Sequence, residues 1–474
     1  MSGNIDVNEV SGKSFYFIVA GGGIPQKWNS NTKFAWNRMG FAGINFMWWT
    51  KSPKQIWERF RNPGWNCNNF QAAVKEIEGY LYAVTHGLDF QGWDIRTNGG
   101  DYLVWSRFDD DQAGLPKAPV PISGNPRGAF FTPKTIDHKR YTRSYSMTAF
   151  YFPHTHRPNL KVLTRAYVTK LVTSVQSTLT ATGVEFTHGG KTFVVNASKE
   201  VVLCAGYSSC QVLVGVMFLS LSEYLSNLSL LGLAKMYRKT CSGISFELKD
   251  DVKDITLDAL RDPEARKEQV ELHKKAEGAF TPMSAISDRI KDVYALAKKK
   301  VQDEWDTYSP GLQEQYKIQL ERLEDPSSSP GELVLVPGFL SHPNPPKPGK
   351  KYFTIILCLN HDFSRGYLSS DPNESPECDP QCIQLDADLQ TFVKITKFLA
   401  DWLKATMVTI YHTAGSLSML PKDKDGVVDP NLKVYVTTNF YVADLSIMSL
   451  HLAPHTLTTA YAISTLKIAV VPKE

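Results

Sequence analysis

The chain has 474 residues, 42% hydrophobic and 21% charged, which suits two or three cored units of an ordinary globular protein. Its 52 basic and 48 acidic residues leave a net charge of +4, too balanced for a nucleic-acid or anionic-membrane surface. Seven scattered cysteines exclude a disulfide scaffold, and Cys378 and Cys382 have no second Cys or His pair nearby, so no metal site is expected.

Met1 to Glu9 is polar and lacks the apolar core of a signal peptide, which makes the cytoplasm the default expectation. Phe15 to Ala20 is an uncharged β-leaning run ending in Gly21-Gly22-Gly23, and it reads as a buried strand entering a glycine turn. Lys161 to Thr173, Lys191 to Val195 and Glu200 to Ala205 read as further strands, with Gly189-Gly190 turning between two of them. Val212 to Leu233 is the most apolar stretch, but Glu223 and Asn227 interrupt it, so a buried helix is favoured over a membrane span.

From Thr256 to Arg322 apolar residues recur at helical spacing among frequent charges, which predicts amphipathic helices; Lys298 to Lys300 is a solvated face there. Asp325 to Pro330 and Pro343 to Gly349 are loops. Lys351 to Leu359 returns to strand, Leu389 to Met407 is helix-like, Val434 to Val442 is strand-like and Thr456 to Val470 is a closing helix. Strands and helices alternate around a helical middle, so the fold class is α/β or α+β with two interleaved units.

His412 and His455 bracket the last informative segment, 43 residues apart, so only the fold can bring them together. A neutral imidazole suits proton abstraction near neutral pH, and alcohol oxidation needs such a base while the C–H hydride leaves. On the residues alone, a catalytic pair and two surface or packed histidines remain alternatives.

The order of motifs resembles the glucose–methanol–choline (GMC) oxidoreductases, chiefly fungal members of the aryl-alcohol oxidase and glucose oxidase type. The segments are Tyr411 to Met419 (YHTAGSLSM), Gly426 to Pro430 (GVVDP), Tyr441 to Ser446 (YVADLS) and His455-Thr456. Upstream, Ile44 to Met47, Asn62 to Trp65 (NPGW), Thr142 to Ser144, Arg157 to Leu160, Glu200 to Gly206 (EVVLCAG) and Ser364 to Gly366 fit in the same order. The resemblance implies an FAD-binding Rossmann-type unit over 1–50, 121–235 and 408–474. It is interleaved with a substrate unit of antiparallel sheet plus helices over 51–120 and 236–407. It also implies a small-molecule alcohol substrate and oxygen or a quinone as electron acceptor. His412 falls on the family's base and His455 on its substrate hydrogen-bond partner. Gly21, Gly22, Gly23, Asn45, Phe46, Met47, Val168, Asp444 and Thr456 fall on flavin-side positions. His451 is extra and reads as structural.

The nucleotide end departs from that pattern. A dinucleotide turn needs a third glycine opening a helix and, about 20 residues on, an acid for the ribose. Here Ile24-Pro25-Gln26 follows the glycines, and no Asp or Glu lies between Gly23 and Asn45. The first helix and second strand are skipped, which predicts an open strand edge and impaired FAD binding. Val436 and Tyr441 also replace a usual glycine and arginine. The rival reading is therefore a degenerate, non-catalytic paralogue or truncated gene product; a nicotinamide enzyme is disfavoured by the same missing acid.

Overall fold

The computed structural model describes residues 6–21, 47–52, 62–78, 128–131, 135–137, 142–206, 210, 213–214, 240–251, 256–274, 283–287, 294–325, 331–341, 346–368, 378–379, 381–390, 408–409, 412–452 and 455–470. In chain order the strands are β1 (Ser14–Gly21), β2 (Gly128–Phe131), β3 (Ile136–Asp137), β4 (Thr142–Arg143), β5 (Tyr167–Val175), β6 (Leu179–His188), β7 (Lys191–Cys204) and β8 (Thr240–Glu247). They continue with β9 (Met283–Ser287), β10 (Gly331–Val336), β11 (Tyr352–Leu359), β12 (Tyr367–Leu368), β13 (Cys378–Asp379), β14 (Val408–Thr409) and β15 (Phe440–Val442). The α-helices are α1 (Cys67–Ile77), α2 (Pro263–Lys274), α3 (Tyr294–Asp303), α4 (Pro310–Glu324) and α5 (Leu457–Val470).

The first sheet runs β1-β7-β6-β5, with β15 also paired to β7. β7 changes partners along its length. Its first part is antiparallel to β6, and its second part is parallel to both β1 and β15. The two strands expected at Lys191–Val195 and Glu200–Ala205 are thus one continuous strand. Gly189 and Gly190, both at positive φ, make the β6–β7 turn. At the other end Gly21 lies opposite Cys204, where a Cβ would stand 2.4 Å from the Cys204 carbonyl oxygen. Only a glycine lets these strand ends lie flush.

The expectation that β1 is buried is corrected. Tyr16 is 69%, Phe17 46% and Val19 65% exposed, and Ala20 is the strand's one buried residue. Among the described residues β7 is its only strand neighbour. Val434–Val442 is likewise not all strand. Only β15 is continuous strand; Val434 and Thr437 make single bridges to Val428 and Leu179, and Val436 turns the chain at φ +63°.

The second sheet is antiparallel, in the order β14-β8-β11-β10-β9-β2. Residues 128–131 and 408–409, assigned from sequence to the first unit, pair into this sheet. β9 is a strand inside the stretch read as helical. α4 starts at Pro310, as suits a first helical position, and buries Leu312, Gln315, Tyr316, Gln319 and Arg322 along one face. Its polar members satisfy a buried turn: Tyr316 Oη donates to Phe363 O at 2.7 Å and Gln319 Nε2 to Asp362 O at 3.0 Å. Lys298 and Lys299 of α3 are exposed, the solvated face expected.

α1, capped by the Asn66 side chain, buries Cys67, Phe70, Ala73 and Val74 and packs on α5. Most of Val212–Leu233 and Leu389–Met407 lies outside the described residues. No described helix is long and apolar enough to cross a membrane.

Candidate active site

Residues 412–419 lie beside 444–451, tied by Gly415 N to Leu445 O (3.1 Å), Leu417 N to Ser446 O (2.8 Å) and Met419 N to Ile447 O (2.8 Å). The Asn62–Trp65 motif braces this layer from outside. Asn62 Nδ2 donates to Met419 O at 3.2 Å, and Trp65 Nε1 donates to Pro430 O at 2.8 Å. These bonds fix the segment that carries both histidines.

His412 and His455 meet edge to face, with ring centroids 5.3 Å apart and planes at 87°. His412 is half-buried and His455 buried. His455 is held on three sides. Its backbone N–H donates to Thr50 Oγ1 at 3.0 Å, Trp48 packs edge-on at 4.4 Å, and its Nε2 lies 3.1 Å from Glu332 Oε1. Glu332, on β10, is 1% exposed. A buried carboxylate is costly without a donor; the His455 N–H supplies one and thereby sets which ring nitrogen carries the proton. Sequence reasoning missed both Glu332 and Trp48. The available signal was an acid inside the otherwise apolar run GELVLV.

Asp444 closes the carboxyl end of the first sheet. Its carboxylate accepts from Gly206 N (2.8 Å), Ser446 N (2.8 Å) and the Cys210 thiol (3.1 Å). It therefore joins the end of β7 to the turn after β15. Burial, and then the Asp444 charge, push the Cys204 thiol up to about 12 and the Cys210 thiol well above its ordinary value.

Thr456 adjoins His455 and accepts the Ala460 N–H at 3.0 Å as α5 begins. Met47 adjoins Trp48, and its carbonyl accepts from Thr135 N at 2.8 Å. Gly21 ends β1 against Cys204. Val168 stands on β5, separated from β7 by β6. Gly22, Gly23, Asn45 and Phe46 lie outside the described residues. The structure thus joins His412 to His455, with Met47 and Thr456 as chain neighbours of the cluster, and gathers Gly21 and Asp444 at the strand ends.

Two profiles described as GMC oxidoreductase match the chain, one over residues 15–214 and one over 396–464. A dehydrogenase of Armillaria gallica is 26% identical over 455 aligned positions, covering 83% of this chain and 70% of that protein. A glucose oxidase of Aspergillus carbonarius is 25% identical, covering 93% of this chain and 80% of its own length. The solved FAD-dependent oxidoreductase of Chaetomium thermophilum superposes with a TM-score of 0.71 at 20% identity, covering 91% of this chain and 85% of that one. With both profiles matched in order and the imidazole pair at the C-terminal end, the chain belongs to the GMC oxidoreductase family, whose members are FAD-dependent oxidoreductases of alcohols.

Proposed function

We propose that this chain oxidises the CH–OH group of a small alcohol, with FAD held at the carboxyl ends of β1, β7 and β15. The observation that carries this reading is the contact between the His412 and His455 rings. The strand ends fit the group. In open α/β sheets ligands lie beyond the carboxyl ends of parallel strands, and here β1, β7 and β15 run parallel and end together at Gly21, Cys204 and Val442. Gly21, Met47, Asp444 and Thr456 are the described residues that would hold it. When bound, FAD supplies the acceptor for the carbinol hydride, with oxygen or a quinone taking the electrons afterwards.

His412, the more accessible ring, takes the hydroxyl proton. Glu332 holds the Nε2 side of His455 and fixes the plane of the ring that orients the alcohol beside His412. Trp48 packs on the His455 ring, and Thr50 anchors its backbone. We assign residues 1–50, 121–235 and 408–474 to the cofactor unit and 51–120 and 236–407 to the substrate unit, with β2 and β14 reaching into the second sheet. Replacing His412 with Ala should abolish alcohol turnover and leave the flavin absorption spectrum in place. Unchanged turnover in that variant would sink the proposal.

A further inference from the structure

Three more ring nitrogens around this site face partners whose roles are fixed by chemistry. Arg322, buried on α4, points Nη2 at His361 Nε2. A guanidinium only donates, so that nitrogen of His361 accepts and its ring is neutral. His451 is in the opposite position. Its Nδ1 lies 2.8 Å from Leu452 O and its Nε2 lies 2.8 Å from His412 O. Carbonyl oxygens only accept, so a neutral ring would leave one nitrogen lone pair against a carbonyl lone pair. Only the doubly protonated ring satisfies both contacts.

We infer that His451 is held as a buried imidazolium that clamps the carbonyls of His412 and Leu452 and keeps the neighbouring His412 ring uncharged, ready to take a proton. The inference rests on the role proposed above for His412. His451 is 6% exposed, and its ring stacks on that of His412 at 6.3 Å between centroids and 20° between planes. A cation there disfavours a second one on His412. Among the described residues, the other charged or titratable groups facing the cluster are Arg322, whose Nη1 lies 3.5 Å from the His451 carbonyl oxygen, His361 against Arg322, His455, and the Glu332 carboxylate. Arg322 engages the backbone oxygen of His451. The two charge-assisted bonds offset the burial of the ring. Ser449, at the same turn, donates its hydroxyl to Met419 O at 2.9 Å and holds the two segments in register. His451 is thus a positioning residue that acts through His412.

The test combines ring-nitrogen NMR with a pH profile on the holoprotein. Among the eleven histidines, one ring should keep both nitrogens protonated at pH 8.5, far above the ordinary value of about 6.5, and its signals should vanish in His451→Gln. If every ring is singly protonated at that pH, the inference is overturned, whatever the activity. In His451→Gln the acid limb of kcat/KM should move upward by about one pH unit, because the loss of a cation at this distance favours protonation of His412. His451→Lys should restore the original limb. An unmoved limb in His451→Gln also overturns the inference. If His412→Ala still turns over, the proposed function fails, and that result is separate from the NMR outcome.

Discussion

Glu332 and His455 sit 123 residues apart in sequence and 3.1 Å apart in space, with 1% and 6% of their surfaces exposed. The pair makes the second imidazole a fixed element instead of a freely turning ring. Glu332→Gln should keep the fold and lower kcat/KM roughly tenfold to a hundredfold, less than the roughly 10²–10⁴-fold contributed by a group that itself transfers the proton. Glu332→Ala should in addition lower stability by about 3 kcal/mol, as removal of one buried partner does. Steady-state kinetics with a chemical-denaturation curve separate the two effects; a fully active Glu332→Gln would remove Glu332 from the site.

Val436 turns the chain at φ +63°, a region that penalises a β-branched residue by about 1–2 kcal/mol. The resemblance places a glycine at this position. Val436→Gly should raise stability by about 0.5–1 kcal/mol once the freer unfolded chain is counted. Thermal unfolding reads this directly, and a lower Tm would contradict the strain.

In the proposed reading, the ribose of FAD would find no acidic residue between Gly23 and Asn45. Charged hydrogen bonds of that kind contribute about 1.5–3 kcal/mol. FAD should therefore bind this chain less than about tenfold more tightly than FMN. Fluorescence-quenching titrations with both flavins check the ratio, and a preference beyond a hundredfold would mean that another residue replaces the missing carboxylate.

The Cys204 thiol, pushed up to about 12 from 9.0 chiefly by burial, stays protonated in the folded protein while its unfolded counterpart ionises above about pH 9. The unfolded state then binds fewer protons, so stability falls as pH rises from about 9 toward 12, by about 1.4 kcal/mol per unit for each such thiol. Cys210 adds in the same direction. Cys204→Ala should flatten the alkaline decline in denaturation midpoints measured across this range; an unchanged slope would contradict it.

The meeting of His412 and His455 was readable because short motifs flank each histidine. The first strand, the β6–β7 turn and the closing helix were readable from periodicity and glycines. Glu332 was not, because its meaning comes from a strand of the other sheet folding over His455. The length of β7 was hidden because one strand serves two neighbours in succession, and its polar middle (Asn196 to Lys199) reads as a break. β1 was misread as buried because apolar composition reports what a strand can bury, not whether a neighbour arrives to cover it. Asp444, placed by resemblance beside the flavin, has its carboxylate bonded to Gly206, Ser446 and Cys210, contacts that become legible only when β7 and β15 are side by side.

β15 joins the first sheet from residues 440–442, and Trp65 is fastened to Pro430, 365 positions away. A ribosome must therefore release the chain past residue 442 before the middle of this sheet can close. Until then the apolar β1 waits without β15 to complete the sheet around β7, and long-range pairings of this kind form slowly and favour self-association. Production of this protein should depend more on chaperone supply and growth temperature than on the finished molecule's stability.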